Sequence, residues 1–490
     1  MNLYCWAQEN TIIIIIGAII KIIINMKKIN RRTVLKTIGG ISLGSALPVF
    51  GKASNTVSSK PAYKKIINTE ILIIGGGTAG VIAAIQSGRA GCSTVLVESG
   101  SQLGGTTTTG GVSFPGLFHA WGKQIIKGIG WELVTETVKM SDEKLPDFSI
   151  PTGKQHWKHQ VHINPFIYTL LAEEKCLQAG VQLRYYESPY SAVFDGNKWI
   201  VETVGKGIHT KIICDQLIDC TGNAALTSLA GFNVLREKET QPGSLMFKIG
   251  GYDMNNLDLN FINREYEKAV ARGELSRDEF RNILSLLRSH GDNVQHIAGA
   301  DSTTSEMQTL TNIKGRSSLR KHLKFLRTLP GCEKTELISM QTETAVRETY
   351  RINGEYQITH EDYVTGRIFD DSVCYSFYPI DVHDKNGVAP KHLQEGIVAT
   401  IPIRALIPRN SRNFLAAGRC ISSDRLANSA LRVQSSCMAM GQAVASCAVL
   451  SVKHHSTPIL VSVPEIKSLI KKHGGIIPPD RIRSSYNKHI

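Results

Sequence analysis

The chain has 490 residues, 42% of them hydrophobic and 20% charged, with Gly 43 and Pro 17. This composition excludes a disordered or collagen-like chain and allows about two or three domains. The net charge of +14 sits at the ends, with ten Lys/Arg against Glu9 in residues 1–65 and six against Glu465 and Asp480 from Val463 onward; a nucleic-acid protein carries its basic charge on the folded part, so nucleic acid is excluded as a partner.

An isoleucine-rich run from Thr11 to Met26, broken by Lys21, is too short and interrupted to read as a membrane span. A second start-like stretch follows, Met26-Lys27-Lys28-Ile29-Asn30-Arg31-Arg32, then an apolar segment from Thr37 to Phe50 and small residues around Ala53. That is the charged, apolar, small-residue order of a signal peptide, and Arg31-Arg32 resembles a twin-arginine signal. Residues 1–25 are expected to be a gene-model extension, residues 26–55 the signal and the protein exported to the periplasm or cell envelope. An uncleaved membrane anchor is the alternative.

The apolar run Ile71-Leu72-Ile73-Ile74 predicts a buried strand that enters Gly75-x-Gly77-Thr78-Ala79-Gly80. Val81 to Arg89 has a helical pattern, and Thr94-Val95-Leu96-Val97 is a second strand ending at Glu98. Strand, glycine turn, helix and strand form a dinucleotide-binding pattern. Gly75 permits the tight turn, Gly77 lets the backbone approach a pyrophosphate, and Gly80 lets the helix pack on the strand. The N–H groups of the helix start face the phosphates. Glu98 accepts from ribose hydroxyls, and its charge disfavours a 2′-phosphate.

Beyond the second strand, Gly104-Gly105-Thr106-Thr107 offers close backbone approach and hydroxyls to a flat ring system. Val181 to Tyr186 predicts a third strand, followed by a meander that ends in Asp219-Cys220-Thr221-Gly222-Asn223. From Asn260 to His290 the chain is polar and helix-like, with Phe280, Ile283, Leu284 and Leu287 on one face, and Leu319 to Leu329 predicts a further amphipathic helix. A late strand and glycine turn, Asn413 to Cys420, contains Gly418 and Arg419, and Arg432-Val433-Gln434 leads a small-residue helix whose start can hold negative charge.

In this order the motifs resemble the FAD-dependent oxidoreductases of the glutathione-reductase-like superfamily, with fumarate reductase and heterodisulfide reductase flavoproteins as distant relatives. The resemblance covers roughly residues 68–455. It implies an α/β fold with a discontinuous Rossmann-like FAD-binding domain and an inserted α+β substrate domain. The corresponding boundaries are 68–240 and 391–455 for the FAD domain, 241–390 for the substrate domain and 456–490 for an exposed basic tail. It further implies FAD contacts from Gly75, Gly77, Thr78, Ala79, Gly80, Glu98, Gly104, Gly105, Thr106, Val193, Thr221, Gly222, Gly418, Arg419, Arg432 and Val433. Asn223 departs from the acid that relatives commonly carry after Thr-Gly. None of the ten cysteines falls in a CxxC pair, so neither an iron–sulfur cluster nor another metal is expected.

The expected activity is hydride transfer between flavin and a small polar metabolite such as a hydroxy acid, a sugar or an unsaturated acid. Proton transfer beside the hydride path needs an acid–base group, and developing oxyanion charge needs a fixed cation. His383 and His119 are candidates for the first role, Arg347 and Arg404 for the second. The opposing readings are structural: Arg347 paired with Glu348 or Glu355, and histidines held for packing. At the level of the whole chain the alternatives are a flavin electron-transfer subunit that requires a redox partner and a non-catalytic binding protein with a relic flavin fold.

Overall fold

The computed structural model describes residues 63–480 except 385, 386 and 389; the expected signal segment lies outside them. Strand β1 (Tyr63–Ile74) leads through the glycine turn into α1 (Thr78–Arg89) and β2 (Thr94–Glu98). Two helices, α2 (Ile129–Met140) and α3 (Pro165–Gln178), precede β3 (Gln182–Tyr185), and Asn164 caps α3 by accepting from the N–H groups of Phe166 and Ile167. The meander is β4 (Ser188–Phe194), β5 (Trp199–Gly205) and β6 (Ile208–Asp219), closed by the short helix α4 (Ala225–Leu229).

These strands share one seven-stranded sheet in the order β3-β2-β1-β6-β5-β4. β1 pairs parallel with β2 and β6, whereas β5 pairs antiparallel with β4 and β6. β1 reads as a continuous apolar run because Ile71, Leu72, Ile73 and Ile74 are all buried, with Ile71 and Ile73 facing one core and Leu72 and Ile74 another.

The inserted region has its own hydrophobic core. Strand β7 (Ser244–Gly250) pairs antiparallel with β8 (Glu336–Ala345), and α5 (Leu259–Ala271), α6 (Ile283–Arg288) and α7 (Ser305–Leu326) pack beside them. Their buried cluster runs from Leu245 to Cys332. The segment around α8 (His360–Val364), β9 (Ser372–Ser376) and β10 (Ala399–Pro402) packs instead into the main core, through Ile358, Tyr363, Val373 and Ile380. The second core therefore ends well before residue 390.

Three local expectations change. The helix-like stretch 260–290 is two helices, because Gly273 at φ +72 ends the first and Asn282 caps the second. The helix expected from Leu319 begins at Ser305, where Thr304 accepts from Met307 N. The C-terminal tail is not wholly exposed. Helix α11 (Val463–Lys472) buries Ile466 and Ile470 in the main core while most of its charges face out.

The late strand β11 (Phe414–Ala416) returns to the sheet parallel to the end of β6. After α9 (Arg425–Leu431), the 20-residue helix α10 (Gln434–Lys453) crosses α1 at close range. A Cβ on Gly441 would lie 2.3 Å from Ala79 O, so glycine lets α10 press directly on the first turn of α1.

Candidate functional site

The C-terminal ends of β1, β2, β6 and β11 open into one cavity of about 960 Å³. That is at the upper end of ligand pockets, which span about 300–1,000 Å³. Its walls extend from Glu98 and Ser188 at one end to Tyr378 and His383 at the other.

At the glycine turn, Gly76 N and Gly100 N donate to the two oxygens of Glu98 at 2.7 and 2.6 Å. The carboxylate is thereby fixed at the cavity wall, with acceptor capacity left over. Gly80 lies under the turn; a Cβ there would meet Gly75 O at 1.9 Å. Gly77 differs. A Cβ there would meet nothing nearer than Gly105 Cα at 3.9 Å, and its φ of −73° suits any residue. The second glycine turn comes alongside through the bridge Gly77–Gly104, with Gly104 at φ +105. No side chain caps α1, so its first N–H groups are available to an anion.

The middle of the cavity is framed by Thr106, Gly222, Gly418, Val433 and Gln434. Thr107 Oγ1 donates to Gln434 Oε1 at 2.6 Å, and Gln434 Nε2 donates to Val112 O at 2.7 Å. This tie fixes the start of α10, which has no side-chain cap and directs its positive end at the cavity. Two uncapped helix starts, a glycine cradle and a carboxylate fixed beside the turn fit an extended dinucleotide carrying a flat ring.

At the far end the inserted region and the main core meet. Arg347, buried, donates to Pro242 O at 2.7 Å and Ser244 Oγ at 3.1 Å. Glu348 is occupied by Arg425 and Gln241, and Glu355 accepts from Asn410 N, so the ion pairs considered for Arg347 do not form. Burial and the neighbouring Arg432 push the Arg347 guanidinium down to about 9. His383 Nε2 lies 3.2 Å from Asp381 Oδ2, and its Nδ1 lies 3.3 Å from His296 Nε2. Burial lowers His383 from its usual 6.5 despite the Asp381 hydrogen bond. Burial raises Asp381, but the His383 hydrogen bond and the Arg432 charge outweigh it and hold the carboxyl below its ordinary range. Tyr378 takes a hydrogen bond from Gln160 at 2.8 Å, and burial raises its phenol.

Several expected residues lie elsewhere. Val193 is 56% exposed on the outer face of β4 and lines a separate groove with Phe194 and Trp199. Its neighbour Ala192 turns into the core beneath the sheet and lines the same groove, so neither face of β4 here reaches the cavity, which only the start of the meander, at Glu187 to Pro189, borders. Arg404 is held by Asp371 in a two-point ion pair at 2.9 and 3.0 Å, outside the cavity lining. His119 stacks on Phe148 at 3.8 Å between ring centroids and is also outside that lining; burial pushes it down to about 4. Arg432, expected at the ring system, also reaches Asp381, with its NH2 3.2 Å from Asp381 O. His156 and Asn293 join the wall, although neither stood out in the sequence. Asn223 donates to Ser302 O at 2.8 Å and so ties the inserted region to the end of β6.

A family model described as FAD dependent oxidoreductase matches residues 70–470. The dihydrolipoyl dehydrogenase of Pseudomonas aeruginosa is 28% identical over 199 residues, covering 38% of this chain and 40% of its own; the chain thus spans less than half of that curated relative. Among solved structures, a geranylgeranyl bacteriochlorophyll reductase-like protein of Thermoplasma acidophilum is 11% identical with a TM-score of 0.39, covering 83% of this chain and 84% of the other. The p-nitrophenol 4-monooxygenase of Pseudomonas putida is likewise 11% identical, with a TM-score of 0.37 and coverage of 83% and 84%.

Proposed function

The chain belongs to the FAD dependent oxidoreductase family, and from that premise we propose that it oxidises or reduces a small polar metabolite at the Arg347–His383 end of the cavity. FAD, when bound, supplies the hydride exchange with the substrate carbon. One observation carries this reading: a single cavity joins the glycine turn to Arg347, Asp381 and His383.

The protein's own part divides along the cavity. Glu98 accepts from ribose hydroxyls, while the starts of α1 and Gly222 flank the pyrophosphate. Thr106, Gly418, Arg419, Val433 and the start of α10 surround the ring system, and α10 favours negative charge there. With Asp381 ionised, His383 Nε2 donates to it, which leaves Nδ1 as the basic nitrogen that takes up a proton. For a substrate hydroxyl to reach Nδ1, its 3.3 Å contact to His296 Nε2 must give way. Arg347 supplies fixed positive charge where an oxyanion develops.

The experiment is anaerobic mixing of the yellow holoprotein with hydroxy acids, sugars and unsaturated acids. The flavin absorbance is expected to bleach with members of one class and to return when an electron acceptor is added. A flavin that chemical reductants bleach and no small molecule does would favour the electron-transfer subunit instead. We also propose export through the Arg31-Arg32 segment. A mature protein beginning after about residue 50 is expected, and an intact Met1 or Met26 would overturn it.

A further inference from the structure

The far end of the cavity carries more positive charge than the protein neutralises. Arg347 donates to Pro242 O, Ser244 Oγ and, at 3.4 Å, Asn293 Oδ1, all uncharged acceptors. Arg432 gives NH2 to Asp381 O and Gln241 Oε1 at 3.2 and 3.4 Å and sits 3.8 Å from Asp381 Oδ2. Its Nε is buried with no acceptor. Arg419 lies toward the middle of the cavity, beside the expected pyrophosphate path, and donates Nε to Gly222 O at 2.8 Å and NH1 to Val346 O. Arg347 and Arg432 thus share this end of the cavity with Asp381, the carboxylate in ion-pair contact with Arg432 among the described residues. Nearby His383, His296 and His156 do not add to the surplus, since burial favours the neutral form of each. Nor do they offset it. A buried cation without a counter-charge is strongly unfavourable unless an anion joins it.

We propose that the anion is the carboxylate of the substrate, held between Arg347 and Arg432, and that the substrate is a small 2-hydroxy acid. This rests on the hydride-transfer reading above. Arg432 contacts Asp381, and Asp381 contacts His383, so the anion seat and the proton-accepting pair are adjoining. A carboxylate bound there has its C2 hydroxyl next to the pair. The pair rests as a carboxylate and a neutral imidazole, ready to accept a proton, so it suits oxidation of a hydroxyl. The C2–H bond breaks and its electron pair leaves with the hydrogen as hydride to FAD; the O–H bond breaks and its proton goes to His383. The C–O bond becomes C=O, and the product is the 2-oxo acid. Arg347 and Arg432 against Asp381 leave one surplus positive charge at this end. One monocarboxylate balances it, a phosphate dianion would exceed it, and the ammonium of an amino acid would be repelled.

The test uses the holoprotein with oxamate, a 2-oxo carboxylate that carries no C2 hydrogen, and reads the perturbation of the flavin absorbance. Glycolate, D-lactate and L-lactate serve as substrates, lactamide as the uncharged counterpart and glycerol 3-phosphate as the competing anion. Oxamate is expected to bind, and at least one hydroxy acid to bleach the flavin while lactamide and glycerol 3-phosphate do not. Arg347→Gln is expected to weaken oxamate by at least about thirtyfold with FAD content unchanged, and Arg347→Lys to recover part of that loss. Arg432→Lys gives a second, milder variant should the first fold poorly. Bleaching by a neutral sugar or alcohol with carboxylates inert, or tighter binding of glycerol 3-phosphate than of oxamate, overturns the carboxylate assignment and leaves hydride transfer standing. Oxamate binding that follows the Arg347 variants, without bleaching by any small molecule, instead supports the carboxylate seat and overturns the hydride-transfer reading.

Discussion

Replacing Gly77 with alanine is expected to yield a folded protein that has lost its hold on FAD. The polypeptide does not need glycine here. The backbone is in an ordinary region at φ −73, and the added methyl would meet only Gly105 Cα at 3.9 Å. The open space fits the proposed FAD, whose pyrophosphate the backbone of the turn would approach. FAD affinity should fall on the order of a hundredfold, about 2.7 kcal/mol, while the melting temperature of the apoprotein stays at the wild-type value. Gly80→Ala is the contrast. Its methyl would lie 1.9 Å from Gly75 O and 3.1 Å from Cys220 Cβ, so α1 must move off β1. Overpacking of this kind costs about 1–3 kcal/mol or more, and it should lower the melting temperature with or without FAD. Equilibrium dialysis and thermal melts of both apoproteins separate the two effects. Wild-type FAD affinity in Gly77→Ala would count against a pyrophosphate at this turn.

The second large effect is expected at His383. His383→Gln removes the basic nitrogen while keeping a hydrogen-bonding side chain beside Asp381. General acid–base groups contribute about 10²–10⁴-fold, so kcat should fall by about that factor with FAD still bound. The pH profile carries the sign. In the proposed reaction oxidation needs His383 neutral, and its pKa is lowered from the ordinary 6.5, chiefly by burial. Wild-type kcat/KM should therefore be flat above pH 6.5 and fall as the pH drops below it, through the lowered pKa. The variant should lose that acid limb. Arg404→Gln is the matched control, because Arg404 is paired with Asp371 outside the cavity lining. A variant of His383 with wild-type turnover and an unchanged acid limb would remove it from the reaction.

The nucleotide end of the site was legible in the sequence because its physics is local. The apolar run 71–74, the glycines at 75, 77 and 80 and Glu98 lie within thirty residues of one another in a strand–turn–helix–strand unit. The substrate end was legible only as residue types. Arg347 and His383 stood out, yet what surrounds them comes from Gln241, Asn293, His296 and Arg432, which are far apart in the chain. Whether Arg347 is paired could not be read from Glu348 beside it, since strand and loop geometry sends that carboxylate to Arg425. Val193 shows how a correct strand can still give a wrong contact: it lies too far along β4, and only the strand's start borders the cavity. In α11 the lysines masked a short apolar stripe, Ile466 and Ile470, that docks on the main core.

FAD and substrate are proposed to meet in this one cavity. The most direct measurement is a crystal structure of the holoprotein with oxamate bound. The expected result is the ribose at Glu98, the ring system against Val433 and the start of α10, and the carboxylate between Arg347 and Arg432, with its neighbouring carbon about 3–3.5 Å from the ring. A ring system lying away from Arg347 and His383, with both side chains out of contact with any bound ligand, would contradict it.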